Sequence, residues 1–235
     1  MRDNPLHIEF IVEDLSGKKA LEVLVPKIIG SGATFRIHGY KGLGRIPKDM
    51  KDAVDPAKRI LLTNLPKLLK GHGRTFHGSR MAAAVVVILD LDDKVEKDFL
   101  RELQSVVDAC HPTPETRFFF AIEEGEAWFL GDLNAIRAAY PNAKPVPLES
   151  YVNDSICGTW ERLADSLVPG GARSLQKKGW KAVGTEKFRW AENIPPKMDP
   201  EVNNSPSFCA FRDRLRLLCG VATPHAGATA HGRGD

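Results

Sequence analysis

A run of eight apolar residues, Ala82 to Leu89, ends abruptly in the acidic residues Asp90, Asp92 and Asp93. A run this rich in valine and isoleucine predicts a strand buried on both faces, as in the interior of a parallel sheet. Ligands bind at the carboxyl ends of such strands, where clustered carboxylates repel one another unless a divalent cation neutralises them. We therefore predict that Asp90 and Asp92 are metal ligands. Turn formation is the alternative, and Asp93 could cap a helix that begins near Lys94.

A second acidic strand end lies near the amino terminus. The β-rich run from His7 to Val12 leads into Glu13, and a helical pattern begins at Ser16. Successive strands of a parallel sheet end on the same edge, so Glu13 is expected to meet the Asp90 and Asp92 pair. Glu9 lies earlier in the same strand, and the pattern supplies no comparable argument for it. Apolar residues recur with helical spacing after Ser16, at Ala20, Leu21, Leu24, Val25, Ile28 and Ile29.

A third acidic group follows a predicted strand from Thr116 to Ile122 and comprises Glu123, Glu124 and Glu126. Gly125 separates this strand from a predicted helix that continues to Pro141, which places Glu126 in the first helical turn. The helix dipole alone favours an acid there, so solvated turn residues are the alternative interpretation. Acids at three strand ends favour a shared site.

The order of these motifs resembles that of a known family. The motifs are Glu13 with Ser16, Asp90-Leu91-Asp92, Glu126-Ala127-Trp128 with Asp132, and the downstream segments Trp190 to Asp199 and Asn204 to Arg212. They resemble the Toprim-type domains of the bacterial DUF4276 family, which is similar to the nuclease domains of OLD-type (overcoming lysogenisation defect) proteins. The likeness covers most of the chain.

The resemblance implies a site that holds Mg²⁺ for cleavage of nucleic-acid phosphodiester bonds. Its ligands would be Glu13, Asp90 and Asp92, and Glu126 would be a further ligand or a base. OLD-type nucleases usually have glycine directly after the first glutamate and another acid a few residues later. This chain has Asp14 at the first position and Gly17 and Lys18 later, so a second metal would need Asp14 or Glu126 as a ligand.

The residue types agree with that chemistry. Phosphodiester cleavage needs an activated water and neutralised charge on the phosphoryl oxygens, which one or two hard cations on oxygen ligands provide. Carboxylates suit Mg²⁺ or Mn²⁺. The four cysteines lack paired spacing and the seven histidines form no close pair in the sequence, so we expect no zinc site.

Length and composition limit the architecture and the compartment. The 235 residues, 43% of them hydrophobic, can form one substantial core with a small appendage. We predict a Toprim-like domain over residues 1–145, a helical extension over 146–220 and a disordered tail over 221–235. Unpaired cysteines, the lack of a secretory signal and the lack of a membrane-spanning run predict a cytoplasmic protein.

Basic residues are the candidates for substrate contacts. The formal net charge is only +3, so the local distribution decides. We predict that Lys41, Arg45 and Lys48 contact substrate phosphates, although an ordinary solvated loop is the alternative. Further along, Trp180 and Trp190 lie within a basic interval, where they could stack bases or dock the helical region onto the sheet. That interval contains Arg173, Lys177, Lys178, Lys181, Lys187 and Arg189.

These observations predict an α/β, Toprim-like fold with a mostly parallel sheet of about four strands and a helical C-terminal extension. The expected function is a Mg²⁺- or Mn²⁺-dependent nuclease, and the family resemblance further implies a setting in bacterial genome or antiphage defence, often beside an ABC-type ATPase. No ATP-binding phosphate loop occurs in the chain, so an associated ABC-type ATPase would be a partner protein. Two alternatives remain: a haloacid-dehalogenase-like phosphohydrolase using Asp90 as nucleophile and Asp92 as acid or base, and a non-catalytic Toprim-like regulatory subunit.

Overall fold

A four-stranded parallel sheet organises the chain. The computed structural model describes residues 5–47, 59–79 and 82–221, so the predicted substrate contact Lys48 and the tail beyond residue 221 lie outside the described residues. The spatial order of the strands is β2-β1-β3-β4, which confirms the predicted α/β class and parallel sheet. The strands are β1 (Leu6–Val12), β2 (Ala33–Gly39), β3 (Ala83–Asp90) and β4 (Thr116–Ala121).

Helices connect the strands and make up the carboxyl-terminal half. They are α1 (Leu15–Ile29), α2 (Leu61–His77), α3 (Glu96–Asp108), α4 (Glu126–Leu130), α5 (Leu133–Ala139), α6 (Pro145–Glu149), α7 (Thr159–Leu167), α8 (Gly171–Lys177), α9 (Trp180–Asn193) and α10 (Pro206–Cys219). None of the helices in the described ranges is long and apolar enough to cross a bilayer. Asp93 does not cap α3, which begins two residues later than expected, with Val95 at its N-cap.

The sheet separates two hydrophobic cores. Side chains alternate between faces along a strand, so Val86 and Ile88 of β3 face one core while Val85 and Val87 face the other. The first core contains α1 and the carboxyl-terminal helices, and the second contains α2 and α3. β3 lies in the middle of the sheet and is covered on both sides, which explains its uninterrupted hydrophobic sequence.

The carboxyl-terminal helices pack against α1 and β4 as part of the first core. Trp190 is fully buried there, so it docks this region rather than stacking bases. The Lys27 ammonium at the end of α1 donates hydrogen bonds of 2.7–2.9 Å to three backbone carbonyls, those of Pro195, Pro196 and Met198. The segment after Trp190 is therefore fixed to α1 by a buried aromatic ring and a lysine.

The helix predicted to continue as far as Pro141 is interrupted. α4 ends at Leu130 and α5 begins at Leu133, because Asp132 caps α5 by accepting a hydrogen bond from Ala135 N at 3.0 Å. Gly131 allows the close approach of Asn203, since a Cβ at this position would lie 2.1 Å from Asn203 Oδ1. The periodic pattern did not reveal this contact with a distant segment.

Glu9 forms a polar cluster on the second-core face of β1. It is buried and pairs with two histidines: His38 Nε2 lies 2.6 Å from Glu9 Oε2, and His7 Nε2 lies 3.2 Å from Glu9 Oε1. Burial alone would raise the pKa of Glu9, but the hydrogen bonds to His38 and His7 outweigh it and hold the pKa below the usual 4.5. Two histidines far apart in the sequence thus meet on one carboxylate.

Replacing Glu9 with Gln is expected to lower the free energy of unfolding at pH about 7 by about 1–3 kcal/mol, because charge-assisted hydrogen bonds in a buried position are lost. The contribution of a carboxylate with a depressed pKa is present above its unfolded pKa of 4.5 and is lost as pH falls through the lower folded value. Urea denaturation at pH values above and below 4.5 measures this, with the exposed Glu22→Gln as the control. An equal deficit at both pH values would contradict the assignment.

Candidate functional site

A cavity of about 40 Å³ lies at the carboxyl ends of β1 and β3, on the first-core side of the sheet. Its walls include Glu13 after β1, Asp90 at the end of β3 and Glu126 at the start of α4. Three predicted site residues from three separate segments therefore border one cavity. Its volume is sufficient for an ion together with a water molecule.

Glu13 and Asp90 are linked directly. The backbone N–H of Asp90 donates to Glu13 Oε2 at 3.3 Å, which directs the Glu13 carboxylate towards the end of β3. α1 begins beside this point, and its first turn approaches the strand closely because Gly17 has no side chain. A Cβ on Gly17 would lie 2.8 Å from Val12 Cγ1. The strand end and the helix start thus form one wall of the cavity.

The opposite wall contains Glu126 and Lys187. Glu126 has 3% of its surface exposed, and its Oε2 lies 3.1 Å from Lys187 Nζ. That contact does not have hydrogen-bond geometry, so Glu126 Oε2 is buried without a hydrogen bond from any described residue. Lys187 Nζ also lies 3.5 Å from Glu124 Oε1. One lysine from α9 therefore faces two glutamates from the β4–α4 connection.

Burial makes the acids of the cavity hard to ionise. It raises the pKa of Glu13 to about 7, supported by the negative charges of Asp92 and Asp14 and opposed by the Asp90 N–H. Burial, together with Glu13, raises the pKa of Asp90 well above its usual 3.8. The pKa of Glu126 is also raised by burial to about 7, even though the Lys187 ammonium opposes the shift. The site thus favours either protonation or an added positive charge.

The pKa of Lys187 is also raised, which in a lysine favours the charged form. Burial alone would lower the pKa of this lysine, but the negative charges of Glu126, Glu124 and Asp90 raise it above the usual 10.5. Lys187 is therefore a permanent cation of the site. The sequence does not distinguish Lys187 from the neighbouring surface lysines. The packing of α9 against α1 brings it to the cavity.

Asp92 lies outside the cavity wall. Its side chain is 50% exposed and pairs with Lys94, with Oδ2 2.7 Å from Lys94 Nζ. Its backbone has φ of 52° and its N–H donates to Glu123 O at 3.0 Å, forming a bridge next to the sheet. Asp92 influences the pKa of Glu13 and is thus a neighbour of the cavity rather than part of its lining.

Lys41 and Arg45 lie in the loop after β2, on the same edge of the sheet, and both are exposed. The N–H of Gly42 donates to the backbone oxygen of Glu13 at 3.0 Å, which fixes this loop beside the cavity. Arg45 O accepts a hydrogen bond of 3.2 Å from Thr63 Oγ1 on α2. Both predicted substrate contacts therefore lie at the same edge of the sheet as the cavity, in a loop whose Leu43 and Ile46 pack against the second core.

Several neighbouring acids have clear structural roles. Glu123 accepts hydrogen bonds of 2.8–3.3 Å from the N–H groups of Cys157, Gly158 and Thr159 and so stabilises the start of α7. Asp14 caps α1, with Oδ1 accepting from Gly17 N at 2.6 Å, although Asp14 also borders the cavity. Of the three acids after β4, only Glu126 lines the cavity.

The chemistry of the lining fits a hard divalent cation in part. Glu126 is buried and Glu13 and Asp90 are partly buried, and carboxylates are the oxygen donors that Mg²⁺ and Mn²⁺ prefer. As placed, however, no three acidic, histidine or cysteine side chains in the described ranges surround a space for a metal ion.

The fold and the cavity define an α/β protein with an acidic site at the carboxyl edge of a parallel sheet. Comparison with family descriptions matches residues 12–216 to DUF4276, a domain of unknown function, and the chain belongs to this family. No curated protein and no solved structure matches the chain. The predicted family membership is thus confirmed, while the likeness to Toprim and OLD-type domains remains a prediction.

Replacing Asp90 with Asn, or Glu13 with Gln, is expected to stabilise the metal-free protein at pH about 8 by about 1–3 kcal/mol, because the variants avoid ionising a buried carboxylate. Because the pKa of Glu13 is raised in the folded protein, its protonated carboxyl group stabilises the fold below the unfolded pKa of 4.5. This stabilisation is lost as pH rises through about 7. Urea denaturation with a chelator, at pH values below and above this window, measures the effect. Asp93→Asn, on the exposed turn, is the control. Variants no more stable than the parent at high pH would contradict the charge assignment.

Replacing Lys187 with Met is expected to destabilise the protein by about 3–5 kcal/mol near neutral pH, because it leaves buried carboxylates without their cation. The exposed Lys181→Met on the same helix is the matched control. The deficit should shrink as pH falls, because the Lys187 ammonium opposes the rise in the pKa of Glu126 and its removal favours the protonated carboxyl group further. Thermal unfolding of both variants across pH provides the measurement, and equal effects of the two substitutions would refute this role.

Proposed function

We propose that this protein is a divalent-metal-dependent nuclease whose active site is the acidic cavity. The observation that carries the proposal is that Glu13, Asp90 and Glu126, from three chain segments, border one buried space with their pKa values raised. Strongly shifted pKa values cluster at functional sites. The resemblance of the motifs to OLD-type nuclease domains supports the same activity.

In this proposal Glu13, Asp90 and Glu126 hold Mg²⁺ or Mn²⁺, and Asp92 is an additional ligand at the rim. The cation would supply charge neutralisation on the phosphate and acidify an attacking water. Lys187 positions Glu126 and neutralises part of the charge of the site. Lys41 and Arg45, in the adjoining loop, bind the flanking phosphates, and Lys48 is a further candidate for the same role.

The biological setting is also a proposal. The family resemblance favours bacterial antiphage defence, with an ABC-type ATPase as the partner protein. Since the sequence contains no phosphate-binding loop for ATP, the two activities would be divided between two chains. Nuclease activity that depends on the partner's ATP cycle would be expected in this arrangement.

The phosphohydrolase alternative needs Asp90 as nucleophile and Asp92 as acid or base at one substrate. Asp92 is half exposed and paired with Lys94, which favours the nuclease over this alternative. A non-catalytic regulatory role would retain the fold without metal affinity. A phosphate group trapped on Asp90 would favour the phosphohydrolase. Lack of metal binding in calorimetry would favour the non-catalytic role.

The proposed activity is tested by incubating labelled DNA and RNA with the purified protein and Mg²⁺ or Mn²⁺, with and without a candidate ATPase. Asp90→Asn should lower cleavage at least about 100-fold, because it removes a central carboxylate ligand. The exposed Asp93→Asn should retain the parent's activity. Equal cleavage by the parent and Asp90→Asn would reveal a contaminant, and calorimetry without metal binding to the parent would refute the proposed site.

A further inference from the structure

One tryptophan of the chain is exposed, whereas the other three are buried. Trp128, Trp160 and Trp190 have 5%, 5% and 1% of their surface exposed, but Trp180 has 76%. Docking onto the core therefore accounts for Trp190 and not for Trp180. We propose that the α8–α9 turn binds single-stranded nucleic acid, with a base stacked on Trp180. This inference rests on the proposed nuclease function and adds a substrate-binding surface to it.

The chain segment that carries Trp180 is basic. Between Leu167 and Thr185 the sequence contains four basic residues and no aspartate or glutamate. The whole chain has a formal net charge of only +3, so this segment concentrates its positive charge. All four basic side chains are exposed, and they are Arg173, Lys177, Lys178 and Lys181. An aromatic ring among cations matches a nucleic-acid strand, whose bases stack while its phosphates pair with lysines.

Trp180 and Lys187 lie on the same side of α9. They are separated by seven positions, about two helical turns, which brings their side chains to within roughly 20° of each other around the axis. At about 1.5 Å of rise per residue the two positions lie about 10 Å apart along the helix. About three stacked nucleotides span that distance at a rise of about 3.4 Å. A base on Trp180 would thus place a phosphodiester a few nucleotides away at the cavity.

Trp180 packs against the start of α7, which is hydrogen-bonded to the acidic segment beside the cavity. Its ring packs edge-to-face on the buried Trp160, with 6.2 Å between ring centroids. Thr159 precedes Trp160 in the sequence. Its Oγ1 donates a hydrogen bond of 3.3 Å to Glu124 Oε2, and Glu124 contacts Lys187. The aromatic surface is therefore held in a defined position relative to the acidic residues, as a substrate-positioning platform requires.

The test measures binding without cleavage, using the Asp90→Asn protein and a fluorescein-labelled single-stranded oligonucleotide of about 12 nucleotides. Trp180→Ala in this background should weaken binding about 5- to 100-fold, and Trp180→Phe should restore much of it. Leu217→Ala, which removes an 81% exposed apolar side chain on α10, is the matched control. Lys181→Ala should make the slope of the logarithm of the binding constant against the logarithm of salt concentration shallower by about one, because one phosphate contact is lost.

The intrinsic fluorescence of Trp180 gives a second readout. Saturation with unlabelled oligonucleotide should quench the emission of the parent and not that of Trp180→Phe, because the three remaining tryptophans are buried. Unchanged affinity of Trp180→Ala, or an equal loss in Leu217→Ala, would overturn the inference. A change in oligomeric state of Trp180→Ala with unchanged affinity would assign the ring to a protein contact and overturn it as well. If the oligonucleotide quenches the tryptophan emission but the parent protein cleaves no nucleic acid, the proposed nuclease activity is refuted and the proposed binding surface is supported.

Discussion

The burial of like-charged carboxylates at one strand edge is the constraint on which this site depends. Asp90 ends a strand that is covered on both faces, and burial raises the pKa of its carboxyl group well above the usual 3.8. Glu13 and Glu126 share the same space. Ionising such groups together costs free energy that packing elsewhere must offset, unless positive charge is brought to them. A fold that gains nothing from the charges would be more stable with apolar residues at these positions.

The carboxyl-terminal helices supply part of that positive charge. α9 packs along α1 and delivers Lys187 to the cavity, and the buried Trp190 together with the Lys27 carbonyl contacts holds this region in place. The helical extension is thus more than a cover for the first core. Its position determines where the one lysine of the cavity lies, which couples the two parts of the chain through electrostatics as well as packing.

The sequence predicted most of this edge of the sheet because its signals were local. β3 was recognisable from a long apolar run, and the parallel-sheet rule correctly placed Glu13 beside Asp90. β2 and α2 were not located from the sequence: β2 alternates polar and apolar residues at the edge of the sheet, and α2 contains two glycines and a proline that weaken its helical pattern. Lys187 could not be assigned, because a surface lysine and a buried one look alike until the helix that carries them is docked. Asp92 shows the reverse problem, since a two-residue spacing does not reveal that a left-handed backbone turns the second acid outwards.

The pairing of Glu9 with two histidines shows that burial of an acid alone does not identify a functional site. Glu9 lies on the same strand as Glu13 and is also buried, yet imidazole hydrogen bonds keep its pKa below 4.5, whereas the pKa of Glu13 rises to about 7. Burial raises the pKa of Glu13, whereas hydrogen bonds to two imidazole groups outweigh the effect of burial at Glu9. Four carboxyl groups, those of Glu13, Asp14, Asp90 and Glu126, and the Lys187 ammonium border the cavity, so negative charge remains there when the acids ionise. Glu9 is paired with two imidazole groups, whereas Lys187 is the cation among the described residues that line the cavity, so the unneutralised negative charge lies around Glu13 and not around Glu9.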